Sequence, residues 1–340
     1  MPATRIVLAG GTGLLGGLLS HALVARGHDV VVLTRRPSAT SGTPRLTGET
    51  PVPQDSGETP VPRGHGRVRL VGWTPDGTAG AWVAEVDGAV AVVNLAGESL
   101  AARRWSPAQK QRLRDSRLDA TRSLVAAIAG AGHPPGVFVS ASAIGYYGDR
   151  HDEVLTEAST PGADFLAELC TEWERIAGQA AGPETRVVLI RSGIVLDAVG
   201  GALPRMLTAF RLFAGGPLGS GRQYMSWIHR KDWAALVLWA TDNAAVRGPI
   251  NATAPVPVTN ADFARALGAA LGRPAWLPAP SLALRLLLGE MGEALVLGGQ
   301  RVIPERARAL GFQFEFEQVE AALKDVLTPQ PRSKPSPPRG

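Results

Sequence analysis

The chain has 340 residues, 45% of them hydrophobic, enough for one large α/β domain with a smaller lobe and too apolar for a disordered chain. Its formal charge of +5 does not make a nucleic-acid surface, because Arg332, Lys334 and Arg339 of the proline-rich tail supply three of the positive charges and leave the rest near +2. A lone cysteine, Cys170, excludes an intrachain disulfide and fits a reducing compartment, and the chain runs into its first strand without a signal peptide, so a cytoplasmic location is expected.

The apolar, β-branched run Arg5–Ala9 predicts a first strand. It enters a loop in which Gly10, Gly13 and Gly16 recur every three residues, and the loop opens an amphipathic helix over Leu14–Arg26 followed by a second strand over Asp29–Leu33. A G-x-x-G-x-x-G match is weak by itself, but within a strand–helix–strand unit it is a dinucleotide fingerprint. Glycine permits the tight turn and the close approach of backbone to a pyrophosphate, while the helix N-terminus offers unpaired N–H groups and a partial positive charge. Gly10, Thr12, Gly13, Leu14, Leu15 and Gly16 are therefore the expected cradle. An NAD site usually places an acid after the second strand to hold the ribose 2′-hydroxyl. Here the residues are Thr34, Arg35 and Arg36. A guanidinium matches a 2′-phosphate in charge and geometry, which points to NADP(H). The competing reading is a pair of solvated arginines in a chain with 31 Arg and four Lys.

Residues 37–66 carry GETPVP twice and are rich in Pro and Gly, the composition of a disordered surface insertion. Strands are predicted next over Arg67–Val71 and Ala89–Asn94, the latter running into Asn94, Leu95, Ala96 and Gly97. Ser106, Pro107 and Gln109 start a long helix, with Gln109 completing a capping box, that ends near Ala131. A fifth strand over Val137–Ala141, a helix over about 163–180 and a sixth strand over Arg186–Arg191 continue the alternation. Strands alternating with helices imply a Rossmann doubly wound parallel sheet over residues 1–200. Residues 201–327 are expected to form a smaller substrate lobe, with short strands near Ser226–Ile228 and Pro249–Asn251, helices near Lys231–Asn243 and Asn260–Leu271, and an extra C-terminal domain over about 278–327. The tail, 328–340, is expected to be disordered. Arg285, Glu290 and Glu293 interrupt the most apolar stretch, so it is not a membrane span.

The motifs GGTGLLG, NLAG, SASAIGYYG (140–148), RSGIVL (191–196) and GSGRQYMSWIHRKD (219–232) resemble the extended short-chain dehydrogenase/reductase superfamily. The segment Arg104–Arg117, GYYG and GGQRVIPERA (298–307) resemble its atypical NAD(P)-dependent epimerase/dehydratase-like subfamily, whose members carry a short extra C-terminal domain. The resemblance implies NADP(H) bound by the residues above with Asn94–Gly97 and Arg191, and a small carbonyl, hydroxyl or sugar-nucleotide substrate. It also implies a tetrad of Asn, Ser, Tyr and Lys, in which the tyrosine is the general acid/base. By motif, the serine falls on Ser142, but the tyrosine and lysine positions read Phe165 and Leu169, and the asparagine position reads Arg117. What remains as a catalytic cluster is Ser142, Tyr146 and Tyr147, with Arg117 as a fixed cation that stabilises an anion.

Other candidates have plainer readings. His229, with Arg222, Gln223 and Tyr224 in the lobe, is either a proton donor or a structural histidine. Trp73 and Trp105 either stack on ligand or pack in the core. The histidines show no metal-ligand spacing, so no metal is expected. Partners are expected to be a small-molecule substrate, with neither nucleic acid nor membrane. Three functions stay open: an NADP(H)-dependent oxidoreductase or epimerase with a rebuilt acid/base group, a catalytically inactive NADP(H) sensor, and a structural interaction protein.

Overall fold

A computed structural model describes residues 4–37 and 66–328; the body of the expected insertion and all but the first residue of the expected tail lie outside the described residues. Seven parallel strands form the central sheet: β1 (Arg5–Ala9), β2 (Asp29–Thr34), β3 (Val68–Gly72), β4 (Ala91–Asn94), β5 (Val137–Ala143), β6 (Arg186–Ser192) and β7 (Gly248–Ala252). Their order across the sheet is β7-β6-β5-β4-β1-β2-β3, the doubly wound arrangement expected from the alternation. Helices cover both faces, so the strands are continuous apolar runs rather than alternating ones. Ile6, Leu8, Val30, Val32, Val139 and Ile190 face one side with α1 (Leu14–Ala25). Val7, Val31, Val92, Phe138 and Leu189 face the other, under α2 (Pro107–Ala129) and α3 (Phe165–Gly178). The chain steps outward from β1 through β2 and β3, then crosses to β4 on the far side of β1. That reversal opens a crevice at the carboxyl ends of β1 and β4, where this class of sheet binds ligands.

Local signals set several helix starts. The Ser106 hydroxyl accepts from the Gln109 N–H at 3.2 Å and Pro107 opens α2. The capping box is only half formed, because the Gln109 carboxamide donates to Glu98 at 2.9 Å instead of returning to Ser106. Asp164 caps α3 through the Ala167 N–H, so that helix begins at Phe165. β5 continues to Ala143 because Ala141–Ala143 pair in register with Ile190–Ser192.

The C-terminal segment divides. α4 (Leu203–Arg211), α6 (Asn260–Leu271) and α8 (Val319–Leu327) surround a separate core of Leu207, Phe210, Trp227, Phe263, Leu267 and Leu323. A further helix, α7 (Ser281–Leu288), buries no residue. The intervening α5 (Arg230–Asp242) returns to the main sheet, and β7 pairs with β6 from within the segment expected to form the lobe. Two buried groups join α5 to the chain end. The Asp232 carboxylate accepts the Glu315 and Phe316 N–H groups, each at 2.9 Å. His229 caps α5 by accepting the Lys231 N–H at Nδ1, stacks on Phe316, and places Nε2 3.1 Å from Asp325. Its side chain is fully buried, which pushes its pKa down to about 4 despite Asp325. His229 is thus a structural residue.

A pH dependence of stability follows. Unfolded, His229 titrates near ~6.5 and binds its proton more readily than in the fold. Its contribution is therefore complete above that pH and is lost as pH falls from about 6.5 towards 4, by up to about 3 kcal/mol. Urea unfolding between pH 7 and 4 should show this loss, and His229→Asn, which keeps a capping oxygen, should flatten that part of the profile relative to the parent.

Candidate functional site

The crevice has a glycine-lined end and a polar, buried end. At the first, Gly10 has φ +79° and any Cβ there would sit 2.6 Å from the Leu95 carbonyl, so the loop after β1 abuts the loop after β4. A Cβ at Gly16 would strike the Gly10 carbonyl oxygen, which explains how α1 packs so close to its own turn. Gly13 differs: the nearest atom to a Cβ there is the Gly10 oxygen at 3.4 Å, and Thr12, Gly13 and Leu14 are exposed, with Leu15 half-buried. Among the described residues no side chain caps α1, so its first N–H groups lie at an open glycine concavity. The residues fit a pyrophosphate.

Asn94 does not contact this concavity as expected. Its side chain is fully buried, donates to the Thr121 hydroxyl at 2.9 Å and accepts the Ala96 N–H at 3.1 Å. The corrected role is to shape the Leu95–Gly97 turn and tie it to α2, because a satisfied carboxamide without exposure has nothing left to offer a ligand. Beyond β2, Thr34 is buried and its hydroxyl accepts the Arg36 N–H at 3.3 Å, while Arg35 and Arg36 are exposed. Arg35 lines a cavity of about 440 Å³ together with Trp73, Thr74, Asp76, Thr78 and Trp82. Trp73 meets Trp82 edge to face at 5.4 Å and is mostly buried, so it builds the cavity's inner wall. Thr78 donates its hydroxyl and N–H to Asp76, which lowers that carboxyl's pKa.

At the buried end, β-sheet register aligns Ser142, Arg191 and Asn251 across β5, β6 and β7 on the face covered by α3. Glu174 of α3 lies over them. It takes Arg191 in a two-pronged pair, Nε to Oε1 and Nη2 to Oε2, both 2.8 Å, and accepts the Ser142 hydroxyl at 2.6 Å. Arg191 Nη1 donates to the Tyr147 hydroxyl at 3.0 Å, which donates in turn to Asn251 Oδ1 at 2.7 Å. Burial works against the arginine's charge, but Glu174 overrides it and raises its pKa. Burial also pushes the Tyr147 phenol up to about 12, against the pull of Arg191.

These bonds correct two expectations. Arg191 is buried with its guanidinium spent on Glu174, Tyr147 and the Glu157 carbonyl, so it does not reach a cofactor. Tyr147 is fully buried with both donor and acceptor used, so its proton is not available to a substrate. Ser142 remains on the cluster, buried, with its proton committed to Glu174. Tyr146 is the half-exposed phenol, its ring stacked 3.5 Å from the Arg191 guanidinium carbon. Arg117 lies under Gly97 and donates to the carbonyls of Leu113 and Glu98 at 3.0 and 2.9 Å; burial lowers its pKa. It is a cation bonded to carbonyls, with no carboxylate in its hydrogen bonds.

The positions of the missing pair are apolar and covered. Leu169 packs with Leu118, Trp173 and Ile176. Phe165 meets Trp105 edge to face at 5.3 Å, and both join Leu113, Leu166, Leu288 and Met291, so the C-terminal segment closes over this spot. Trp105 donates its indole N–H to the Leu100 carbonyl. In the lobe, Gln223 donates to the Leu218 and Val296 carbonyls, Tyr224 lies under Arg301, and Arg222 is exposed. Sequence reasoning missed Glu174, Asn251 and Glu157. Its available signals were an acid inside the apolar stripe of α3 and an arginine ending the otherwise apolar strand VVLIR.

Comparison with known proteins decides the family. The model of the NAD dependent epimerase/dehydratase family matches residues 6–252. The chain belongs to this family. A domain of unknown function, DUF1731, matches residues 279–326 of this epimerase-family chain. An Arabidopsis thaliana protein named epimerase family protein SDR39U1 homolog, chloroplastic, is 47% identical over 248 residues, 72% of this chain and 71% of its own length. The mouse epimerase family protein SDR39U1 is 38% identical over 95% of this chain and 99% of its own. The crystal structure of the human SDR39U1 protein with NADPH superposes with a TM-score of 0.81 at 35% identity, covering 95% of this chain and 99% of that one.

Removing the Glu174 carboxylate should strand the Arg191 charge. Glu174→Ala is expected to lose about 3–5 kcal/mol in urea unfolding, whereas Tyr147→Phe, which deletes one hydroxyl from the same network, should lose about 1–2 kcal/mol. Equal losses would place the weight of the network elsewhere.

Proposed function

We propose that this epimerase-family chain binds NADP(H) and is an oxidoreductase or epimerase acting on a small carbonyl, hydroxyl or sugar-nucleotide substrate. The observation that carries the reading is the pairing of an open glycine concavity at the start of α1 with exposed Arg35 and Arg36, one of them on the adjacent cavity, where an NAD site has an acid. The human relative crystallised with NADPH supports the same choice. Gly10, Thr12, Gly13, Leu14, Leu15 and Gly16 hold the pyrophosphate, and Arg35 with Arg36 takes the 2′-phosphate. When bound, the nicotinamide supplies or accepts the hydride.

The chain's own groups then bind and orient the substrate. With its proton directed to Glu174, the Ser142 oxygen acts as an acceptor and orients a substrate hydroxyl rather than protonating a carbonyl. Tyr146, half-exposed beside Arg191, takes the acid/base role in place of Tyr147. Arg117 adds a positive field beneath Gly97. One observation favours a second reading, an NADP(H) sensor without turnover: Phe165 and Leu169 are not merely apolar but packed into clusters. We further propose a cytoplasmic location, consistent with one buried free cysteine; among the described residues no helix is long and apolar enough to cross a membrane.

NADPH should bind about ten- to a hundredfold more tightly than NADH, the worth of charge-assisted contacts to one phosphate, and Arg35→Ala should narrow that ratio. Fluorescence titration reads both; equal affinities for the two cofactors would end the NADP(H) assignment. A carbonyl and sugar-nucleotide screen then separates the two functions. On any substrate turned over, Ser142→Ala and Tyr146→Phe should each cut kcat by about a hundredfold with NADPH affinity unchanged. Full turnover in both would move the site, and no turnover on any substrate favours the sensor.

A further inference from the structure

The lobe carries an apolar surface that the cofactor reading does not use. Leu212 and Phe213 follow α4, Trp276 precedes α7, and Leu282, Leu286 and Leu287 lie on α7; all six are between 56% and 73% exposed. The segments are joined. Leu277 N–H donates to the Gly215 carbonyl at 3.2 Å, Ala279 N–H donates to Pro217 at 2.9 Å, and Arg273 stands 4.5 Å over the Phe213 ring. Phe213 holds φ +59°, a left-handed conformation that a bulky aromatic seldom adopts, and its ring remains exposed in it. Single exposed leucines need no explanation, but six large apolar side chains exposed on joined segments do.

Charge says what covers it. Between Asp197 and Asp232, and again between Asp262 and Glu290, the sequence contains no acid. Those two segments hold every residue of the patch together with exposed arginines at 205, 211, 265, 273 and 285. Arg265 pairs with Asp262 and Arg285 with Glu293, while Arg211 and Arg273 have no carboxylate partner among the described residues. A second copy of this chain would set the unpaired Arg211 and Arg273 against arginines across a two-fold contact, with Asp262 and Glu293 already taken by Arg265 and Arg285. The partner is therefore anionic. Leu282, Leu286 and Leu287 protrude from a short helix whose Leu288 packs inward, and are flanked by exposed tryptophan and phenylalanine, which is the form of an interfacial anchor.

We propose that this face docks on an anionic phospholipid surface, the leucines and aromatics entering the headgroup boundary and Arg211 and Arg273 meeting lipid phosphates. This departs from the sequence expectation of no membrane partner, and it does not depend on the NADP(H) reading.

The test is co-sedimentation of the full chain with vesicles of phosphatidylcholine alone or mixed equally with phosphatidylglycerol. Binding is expected only with the anionic mixture, with a blue shift in tryptophan fluorescence that Trp276→Phe reduces. Leu286→Glu with Leu287→Glu, and separately Arg211→Ala with Arg273→Ala, should each weaken binding about tenfold or more. All four side chains are exposed, so unchanged melting temperatures are expected and would show that the fold is kept. Absence of binding, equal binding to both vesicle types, or full binding by either double variant overturns the proposal. So does a dimer in solution that the leucine variant dissociates, since that assigns the face to a second copy.

Discussion

The Arg191 guanidinium is a full charge at the end of an interior strand, and the surrounding structure has to answer it. Taking such a group from water is costly unless nearly every N–H finds an acceptor. Glu174 supplies two of them in parallel, Tyr147 a third, and the Glu157 carbonyl a fourth. The same carboxylate captures Ser142, so the orientation of that hydroxyl is fixed by the charge pair beside it. The network then runs outward. Asn251 passes it from Tyr147 to the Ile303 carbonyl, and the Glu157 carboxylate accepts N–H groups from Asn251 and Arg306. Burial raises the Glu157 pKa, against the bonds that favour its charged form. The C-terminal segment is thereby fastened to the far edge of the sheet by buried polar groups.

The nucleotide end is built on the opposite principle, by leaving groups unsatisfied. Gly10 and Gly16 let backbone approach backbone, and Gly13 leaves space. Among the described residues no side chain caps α1. Its dipole and first N–H groups therefore lie at an opening rather than in packing, the condition for holding an anion. Asn94 contributes indirectly, by freezing the turn that forms the opposite wall. The crevice thus joins a pre-formed anion site to a buried polar row, with Arg117 beneath the turn between them.

The positions where the resemblance implies a tyrosine–lysine pair are built into the packing. With Phe165 at the first of them, the start of α3 is apolar enough to pack against Trp105 and Met291, which joins the C-terminal segment to the α2 end of the crevice. Lys110, from α2, lies 5.0 Å over the Phe165 ring and pairs with Glu290, adding a charged latch to the same contact. The C-terminal segment and the start of α3 each supply apolar surface that the other packs against.

Much of the fold was legible in the sequence because it is local. The β-branched runs, the glycine spacing, Ser106 with Pro107 and the alternation of strand and helix act over a few residues, and they imply a parallel sheet of the first six strands, whereas the seventh, expected in the lobe, joins the sheet through β6. The cradle at Gly10–Gly16 and the arginines after β2 were readable for the same reason. The polar site was not. Ser142 meets a partner 32 positions away, and Tyr147 one 104 positions away, through strand register and helix placement that no short window contains. Tyr146 and Tyr147 are neighbours of one residue type, yet one is half-exposed on a guanidinium and the other is sealed beneath it. Sequence alone determined which elements form and where the glycine turn opens, because hydrophobic period and turn chemistry are short-range. Only the tertiary structure decided which hydroxyls are spent on the core and which remain at the crevice, because burial and hydrogen-bond satisfaction belong to the packed whole.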